Sequence, residues 1–351
     1  MAVYIKGMGN ISPQKTSGDE ELLANPSDYS GTKLSCIEPD YAQFVDVKQL
    51  RRMSRIIKMG VAAGMMALRQ AGISTPDGII TGTSFGCLED TGVFLTKLIE
   101  NKENALNPTP FIQSTHNTIG SQIALLLQCQ GYNQTYTQRA FSFEHALIDA
   151  ILELKENANQ TFLVGGVDEI TSYSHTLQKR FGIFRDESSS LNLLKSDGDG
   201  TINGEGAMYL SLSGEGGEGD TVSIESVLTI YNSQGNEFKY KVSEFIKEAS
   251  VTESDIDLVL LGKSGEKDMD GDLEKLAADL FPTASLGAFK HLCGEYPTAS
   301  AFALWLGASI IHEGKTPAIV LERESGSPVK NLLIVNSYFE KYHSLILLRA
   351  C

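Results

Sequence analysis

Thr135-Tyr136-Thr137-Gln138-Arg139-Ala140-Phe141-Ser142-Phe143-Glu144 is the stretch from which the fold can be read. Its β-branched and aromatic start suits a short strand, and the chain then breaks sharply into an amphipathic helix over residues 142–155. The apolar run Thr161-Phe162-Leu163-Val164-Gly165-Gly166 follows as a second strand. A side chain at such a strand-to-helix corner points into a cleft, and the helix N-terminus favours negative charge there, so the layout is that of a nucleophile elbow. The corner residue here is Ala140, whose methyl group offers no nucleophile.

Outward from the corner, the chain repeats itself. Residues 55–71 read as a helix that runs through Gly72-Ile73 into a strand at 78–84. Residues 242–249 read as a helix that runs through a polar turn at 252–255 into a strand beginning at 257, with the exit Gly262-Lys263-Ser264-Gly265. A second matched pair is the strands at 162–167 and 332–336. Nearly continuous apolar strands signal burial on both faces, and two similar α/β halves whose sheets sandwich buried helices satisfy both repeats. The Gly-rich stretch 213–220 reads as the connector, which gives halves at 1–215 and 221–351.

Four more stretches give the corner an identity: Tyr4 to Pro13, Asn107 to Asn117, Asp197-Gly198-Asp199-Gly200 with Gly204-Glu205-Gly206-Ala207, and Lys290 to Ser300. With the corner among them, their order resembles that of β-ketoacyl-(acyl carrier protein) synthases over nearly the whole chain. The resemblance implies a thiolase-like layered αβαβα fold of two similar halves and a thioester-handling ancestor with a cysteine at the corner. In that family the cysteine precedes the Gly-Gly of the following strand by a fixed interval. Counting 25 residues back from Gly165 reaches Ala140, so the cysteine is replaced and not displaced.

Condensing enzymes of this kind need a thiolate to take the acyl chain, two histidines to polarise the malonyl thioester, and backbone N–H groups to hold the oxyanion. The resemblance places the first histidine position at Gly262 or Lys263, and neither is histidine. It places the second at Glu295, five residues after the retained Lys290, and also retains Glu205. A buried Lys290–Glu295 ion pair is expected at the old site, since buried charges survive mainly when paired. The family's glycine-rich loop is replaced by Asn336-Ser337-Tyr338-Phe339-Glu340-Lys341-Tyr342-His343, whose bulk is expected to forbid positive φ. Cys293 reads as an inert core thiol, with a relocated nucleophile as the rival reading.

Composition bounds these readings. A chain of 351 residues with 42% hydrophobic content and 10 prolines is an ordered globular protein of two or three core units. With no signal-like N-terminus and no membrane-length apolar run, a cytoplasmic location is the default expectation. Five cysteines without paired spacing disfavour disulfides and zinc, leaving reduced, mostly buried thiols. No metal or cofactor is expected; Asp197-Gly198-Asp199-Gly200 lacks the twelfth-position glutamate of a calcium loop.

A net charge of −15 opposes nucleic acid, anionic membranes and an acidic carrier protein alike, unless a basic patch intervenes. Lys48, Arg51, Arg52, Arg55 and Lys58 fall at helical spacing and are expected along one helix face, opposite Leu50, Met53, Ile56 and Ile57. That stripe is either a solvated face or, as the resemblance implies for Lys48, Arg51 and Arg52, a carrier-protein docking site. The resemblance also assigns His116, Asn117 and Tyr136 to the acyl tunnel or dimer contact, although His116 and His145 read as structural imidazoles, the former hydrogen-bonded. The strand at 134–138 is expected to pair with its symmetry mate in a dimer.

Taken together, the sequence predicts a ketosynthase homologue inactive alone, a chain-length-factor-like partner in fatty-acid, polyketide or aryl-polyene type biosynthesis. Its expected partners are acyl carrier protein and an active ketosynthase subunit, or a second copy of itself. The alternatives are an active 3-oxoacyl-carrier-protein synthase or decarboxylase using relocated residues, and a homodimer that binds acyl groups or their carrier protein.

Overall fold

Alternating apolar strands and amphipathic helices build one mixed sheet in the computed structural model, which describes residues 2–16, 21–185, 189–195 and 198–351. The strands are β1 (Val3–Ile11), β2 (Gly78–Gly82), β3 (Tyr132–Tyr136), β4 (Thr161–Asp168), β5 (Gly206–Ser213), β6 (Val222–Tyr231), β7 (Leu258–Leu261), β8 (Ser285–Ala288), β9 (Leu321–Arg323), β10 (Asn331–Tyr338) and β11 (Tyr342–Ala350). The helices are α1 (Val47–Leu50), α2 (Arg55–Ala71), α3 (Leu88–Glu100), α4 (Pro108–Gln113), α5 (Thr118–Leu127), α6 (Ser142–Glu156), α7 (Ser172–Arg180), α8 (Gly235–Glu248), α9 (Lys267–Leu280), α10 (Lys290–Cys293) and α11 (Ala299–Glu313).

The strand order is β3-β2-β4-β5-β1-β6-β11-β10-β7-β8-β9. Read outward from the β1–β6 junction, the order on one side repeats that on the other, with β1, β5, β4, β2 and β3 matching β6, β11, β10, β7 and β8. Within the sheet, the strands of the two halves pair among the described residues at Val3↔Ile224 and Tyr4↔Ser223. Within each half the inner strands are parallel and the last strand returns antiparallel, as in β2–β4 and β4–β5 against β7–β10 and β10–β11. β5 ends at Ser213 and β6 begins at Val222, on either side of the Gly-rich stretch.

Three large apolar cores hold the layers together, and a fourth, small cluster gathers Leu34, Leu193 and Ile202. The central one brings Phe143, Leu147 and Leu154 of α6 and Phe302, Leu304 and Leu306 of α11 against Val164 and Leu210 of one half and Leu260 and Ile334 of the other. α11 is buried from Ala299 through Ile311, as a helix packed on all sides must be. The outer cores set α2 and α5 on the first half-sheet and α8 and α9 on the second.

Three segments differ from the sequence expectation. The helix expected from Lys48 to Lys58 is broken: α1 ends at Leu50, and Ser54 in extended conformation caps the start of α2. The basic residues therefore do not share one helix face, and a cation spacing that stays in phase across a break cannot reveal it. The edge strand β3 spans Tyr132–Tyr136, not 134–138, because its partner β2 ends at Gly82, opposite Tyr136. α8 begins at Gly235, a turn and more before Val242, since Phe238 already lies in the core and the polar run Lys239-Tyr240-Lys241 masks that turn.

Candidate functional site

Between β3 and α6 the chain turns through one 3-10 turn, Arg139–Phe141, with Arg139 at φ 54. The turn is tied by Phe141 N–H donating to the Gln138 carbonyl (3.1 Å) and Ser142 Oγ donating to the Arg139 carbonyl (2.7 Å). A left-handed arginine is costly, and such strain is characteristic of a corner that presents its next residue in a fixed direction. α6 can sit this close to β2 because Gly82 has no Cβ; one there would strike the Ser142 carbonyl. Ala140 is 2% exposed. Beside it opens a cleft of about 450 Å³ lined by Ser84, Phe85, Arg139, Tyr338, Phe339 and Tyr342.

Lys290 and Glu295 form the expected buried pair. Lys290 Nζ donates to Glu295 Oε2 at 2.7 Å and to the Ser337 carbonyl at 2.6 Å, and both side chains are withdrawn from solvent. Burial pushes the Glu295 carboxyl up to about 7, against the pull of Lys290. Its second oxygen has no hydrogen-bond partner. Glu295 also lines a small polar cavity of about 20 Å³ with Asp168, Glu169, Asn203, Tyr338 and Phe339. Tyr338, Phe339 and Phe85 thus stand between this cavity and the corner cleft.

Of the first histidine alternatives, Gly262 packs against Asn336, and Lys263 is drawn away to Glu274 and Glu322, 2.6 Å from each. The β10–β11 hairpin corrects an expectation: Phe339 and Glu340, despite their bulk, both adopt positive φ (46° and 54°). Three residues, Phe339, Glu340 and Lys341, join the strands beyond the Tyr338↔Tyr342 pair. The Lys341 N–H donates back to the Tyr338 carbonyl (3.4 Å) across a tight turn whose two central residues take positive φ, the geometry that matches strand twist.

Cys293 is fully buried, and burial drives its thiol well above the ordinary range, which deprives it of the thiolate that a nucleophile requires. The other thiols are less uniformly buried than expected: Cys87 is buried, Cys36 and Cys129 are half-buried, and Cys351 is exposed. Glu205 is structural here. It binds Arg55 through Nη1 (2.7 Å) and Nη2 (2.6 Å) and accepts from the N–H groups of Cys36 and Ile170 at 2.8 Å each. Arg55, meanwhile, is removed from the basic stripe. Lys48, Arg51 and Arg52 remain exposed, with no ion pair among the described residues.

His116 and Asn117 are exposed just before α5, with the His116 ring over Gly86. Among the described residues His116 makes no hydrogen bond, contrary to the expected bonded imidazole, because it sits outside the core that would supply a partner. Tyr136 is half-buried at the end of β3, edge-on to His145 at 6.2 Å, and His145 also meets Phe141 at 5.8 Å. Asp197 lies outside the described residues. In the same loop the carbonyls of Gly198 and Gly200 accept from the Arg185 guanidinium at 2.7 and 2.8 Å, so a cation already occupies them.

Sequence reasoning missed four buried acids, one of them Asp270 of α9, which accepts from the Ser264 and Gly265 N–H groups at 2.8 Å each. Asp168, at the end of β4, accepts from Ser84 N–H (2.9 Å), Phe85 N–H (3.1 Å), Thr83 Oγ1 (3.2 Å) and Thr298 Oγ1 (2.9 Å), and burial raises it to about 6. Glu169 is raised to about 8, again by burial first. Glu144, in the first turn of α6, is wholly buried and raised; the Ser300 and Ser344 hydroxyls lie near without closing a hydrogen bond. The run Val167-Asp168-Glu169, acids closing an apolar strand, was the available signal for two of them.

The family described as "Beta-ketoacyl synthase, N-terminal domain" matches residues 5–213. No curated protein sequence matches the chain. Among solved structures, "The ishigamide ketosynthase/chain length factor" superposes with a TM-score of 0.80 at 19% identity, covering 100% of this chain and 99% of that one. A β-ketoacyl synthase from Burkholderia phymatum STM815 gives 0.81 at 16% identity, with coverage of 100% and 99%. The ketosynthase ApeO in complex with its chain length factor ApeC, from Xenorhabdus doucetiae, gives 0.74 at 14%, with coverage of 100% and 98%. The described layers are those of the thiolase-like ketosynthase fold.

Proposed function

The chain belongs to the β-ketoacyl synthase family, and from that premise we propose that it is a non-catalytic, chain-length-factor-like partner subunit that shapes the dimer and acyl tunnel of an active ketosynthase. The observation that carries this reading is the methyl group of Ala140 at an otherwise intact corner. The ion pair of Lys290 with Glu295, at the position we assign to the second histidine, supports it, as does Gly262 or Lys263 at the first. The rival that recruits Cys293 and Lys290 for chemistry is disfavoured, since the thiol is buried and protonated and the ammonium is engaged twice.

In this reading the halves divide at 1–215 and 221–351, Lys48, Arg51 and Arg52 meet the acidic carrier protein, and His116, Asn117 and Tyr136 line the tunnel or dimer contact. Support for assembly comes from β3, which ends the sheet with one edge unpaired, while Leu125 of α5 and Leu152 of α6 beside it are 70% and 54% exposed. An open strand edge flanked by exposed leucines is a liability unless covered. Two of the similar structures are themselves described as ketosynthase with chain length factor.

The test is co-expression with a ketosynthase that retains its cysteine and both histidines and is encoded beside this chain. The expected result is a heterodimer that condenses only when both chains are present. A stable homodimer with no affinity for that ketosynthase would move the assignment to an acyl or carrier-protein binder.

A further inference from the structure

Behind the β10–β11 hairpin, the first turn of α8 and the facing side of α9 leave a groove whose enclosed part holds about 80 Å³. Its walls are apolar, from Phe238, Leu273 and Leu276. Its floor is not. His343 is 6% exposed, with its ring 4.3 Å from that of Phe238, and among the described residues neither ring nitrogen has a hydrogen-bond partner. The Ser233 and Glu340 carbonyls come near the imidazole without reaching bonding geometry. Ser233 is wholly buried, and its hydroxyl lies near the Glu237 carboxylate without closing a hydrogen bond among the described residues. Two buried polar groups left open at the bottom of one groove invite a partner, because a buried donor or acceptor is destabilising until something bonds it.

We propose that this groove binds a small neutral molecule with an apolar body and a hydroxyl end, the hydroxyl seated between His343 and Ser233. A hydroxyl both donates and accepts, which is what a neutral imidazole and a serine together require. Burial lowers the proton affinity of His343, which favours the neutral imidazole. At the mouth Lys239 Nζ and Asp279 Oδ2 lie 3.0 Å apart, and Asp272, Lys275 and Glu340 also line the groove. The enclosed volume is about half that of a dry cavity that takes up benzene, roughly 150 Å³, so the polar end enters and the body lies along the open groove. Ser337, whose carbonyl holds Lys290, lines the same groove, so an occupant touches the catalytic-side hairpin from behind. The site is independent of the function proposed above.

The experiment follows the ring signals of the six histidines by NMR in the full chain during titration with phenol, assigning His343 with His343→Gln. The expected result is a saturable shift of His343 with a dissociation constant of about 1 mM or tighter, and binding of toluene at least about tenfold weaker. Asn236→Trp, at an exposed lining position, should abolish the shift while leaving the other histidine signals in place, and Ser233→Ala should weaken it. No saturable shift of His343, toluene binding as well as phenol, or an undiminished shift in Asn236→Trp would each overturn the proposal.

Discussion

The two halves place a strand-to-helix corner at matching points of the same strand order and fill it in opposite ways. In the first half, β3 leads to Ala140 and α6, beside a cleft of about 450 Å³ that Tyr231, Tyr338, Phe339, Lys341 and Tyr342 of the second half also line, and the outer strand edge is unpaired among the described residues. In the second, β8 leads through the Lys290–Glu295 ion pair to the fully buried α11, and β9 covers the edge. One architecture therefore yields an open half suited to assembly and a closed half suited to holding it rigid. In the function proposed above, a methyl group stands at one corner and an internal ion pair at the other where an active family member would carry its chemistry.

The largest effect that can break this comparison is on stability. Lys290→Met leaves Glu295 buried without its partner and should cost about 3–5 kcal/mol in urea denaturation, whereas Lys290→Met with Glu295→Leu should recover most of it. Ala140→Cys, at the open corner, should change stability by less than about 1 kcal/mol. Equal losses at the two corners would contradict the division into a closed and an open half.

At the surface of the open half, replacing Lys48, Arg51 and Arg52 together with Glu should weaken binding to an acidic carrier protein by about a hundredfold, and the wild-type affinity should itself fall with salt. Titration calorimetry at two ionic strengths reads both. Unchanged affinity would return these residues to the role of a solvated surface.

A smaller effect concerns Glu169. Unfolded, its carboxyl ionises near the ordinary value of about 4.3; folded, near 8. Between those values the native state holds the extra proton, so its contribution to stability is present at low pH and is lost as pH rises toward 8. Glu169→Gln should flatten that slope and stabilise the protein above about pH 8 by about 1–2 kcal/mol. A slope unchanged in the variant would assign it to Asp168 and Glu295, which titrate lower, at about 6 and 7.

Much of the fold was legible because long apolar periodicities carry it. The span of α2 was read to the residue, and the matched strands β4 and β10 disclosed the repeat. The Lys290–Glu295 pair was legible because two opposite charges stand in a stretch otherwise made of small and apolar residues. The break at Ser54 was not, since a single cap residue competes with five cations in helical phase. Glu144 was missed because a charged residue on an amphipathic helix reads as solvent-facing, and only the packing of α11 and β11 around α6 buries it. The positive φ of Phe339 and Glu340 was misread because strand pairing, not side-chain bulk, decides the loop.

The central claim is that the corner no longer does chemistry. Intact-mass measurement of the purified chain after incubation with acyl-loaded carrier protein tests it most directly, with Ala140→Cys run alongside. The account predicts an unmodified mass for the wild type, and for Ala140→Cys at most an acyl adduct without condensation, since Lys290 and Glu295 still fill the second corner. An acyl adduct on the wild-type chain mapping to Cys293, or turnover by Ala140→Cys alone, would contradict it.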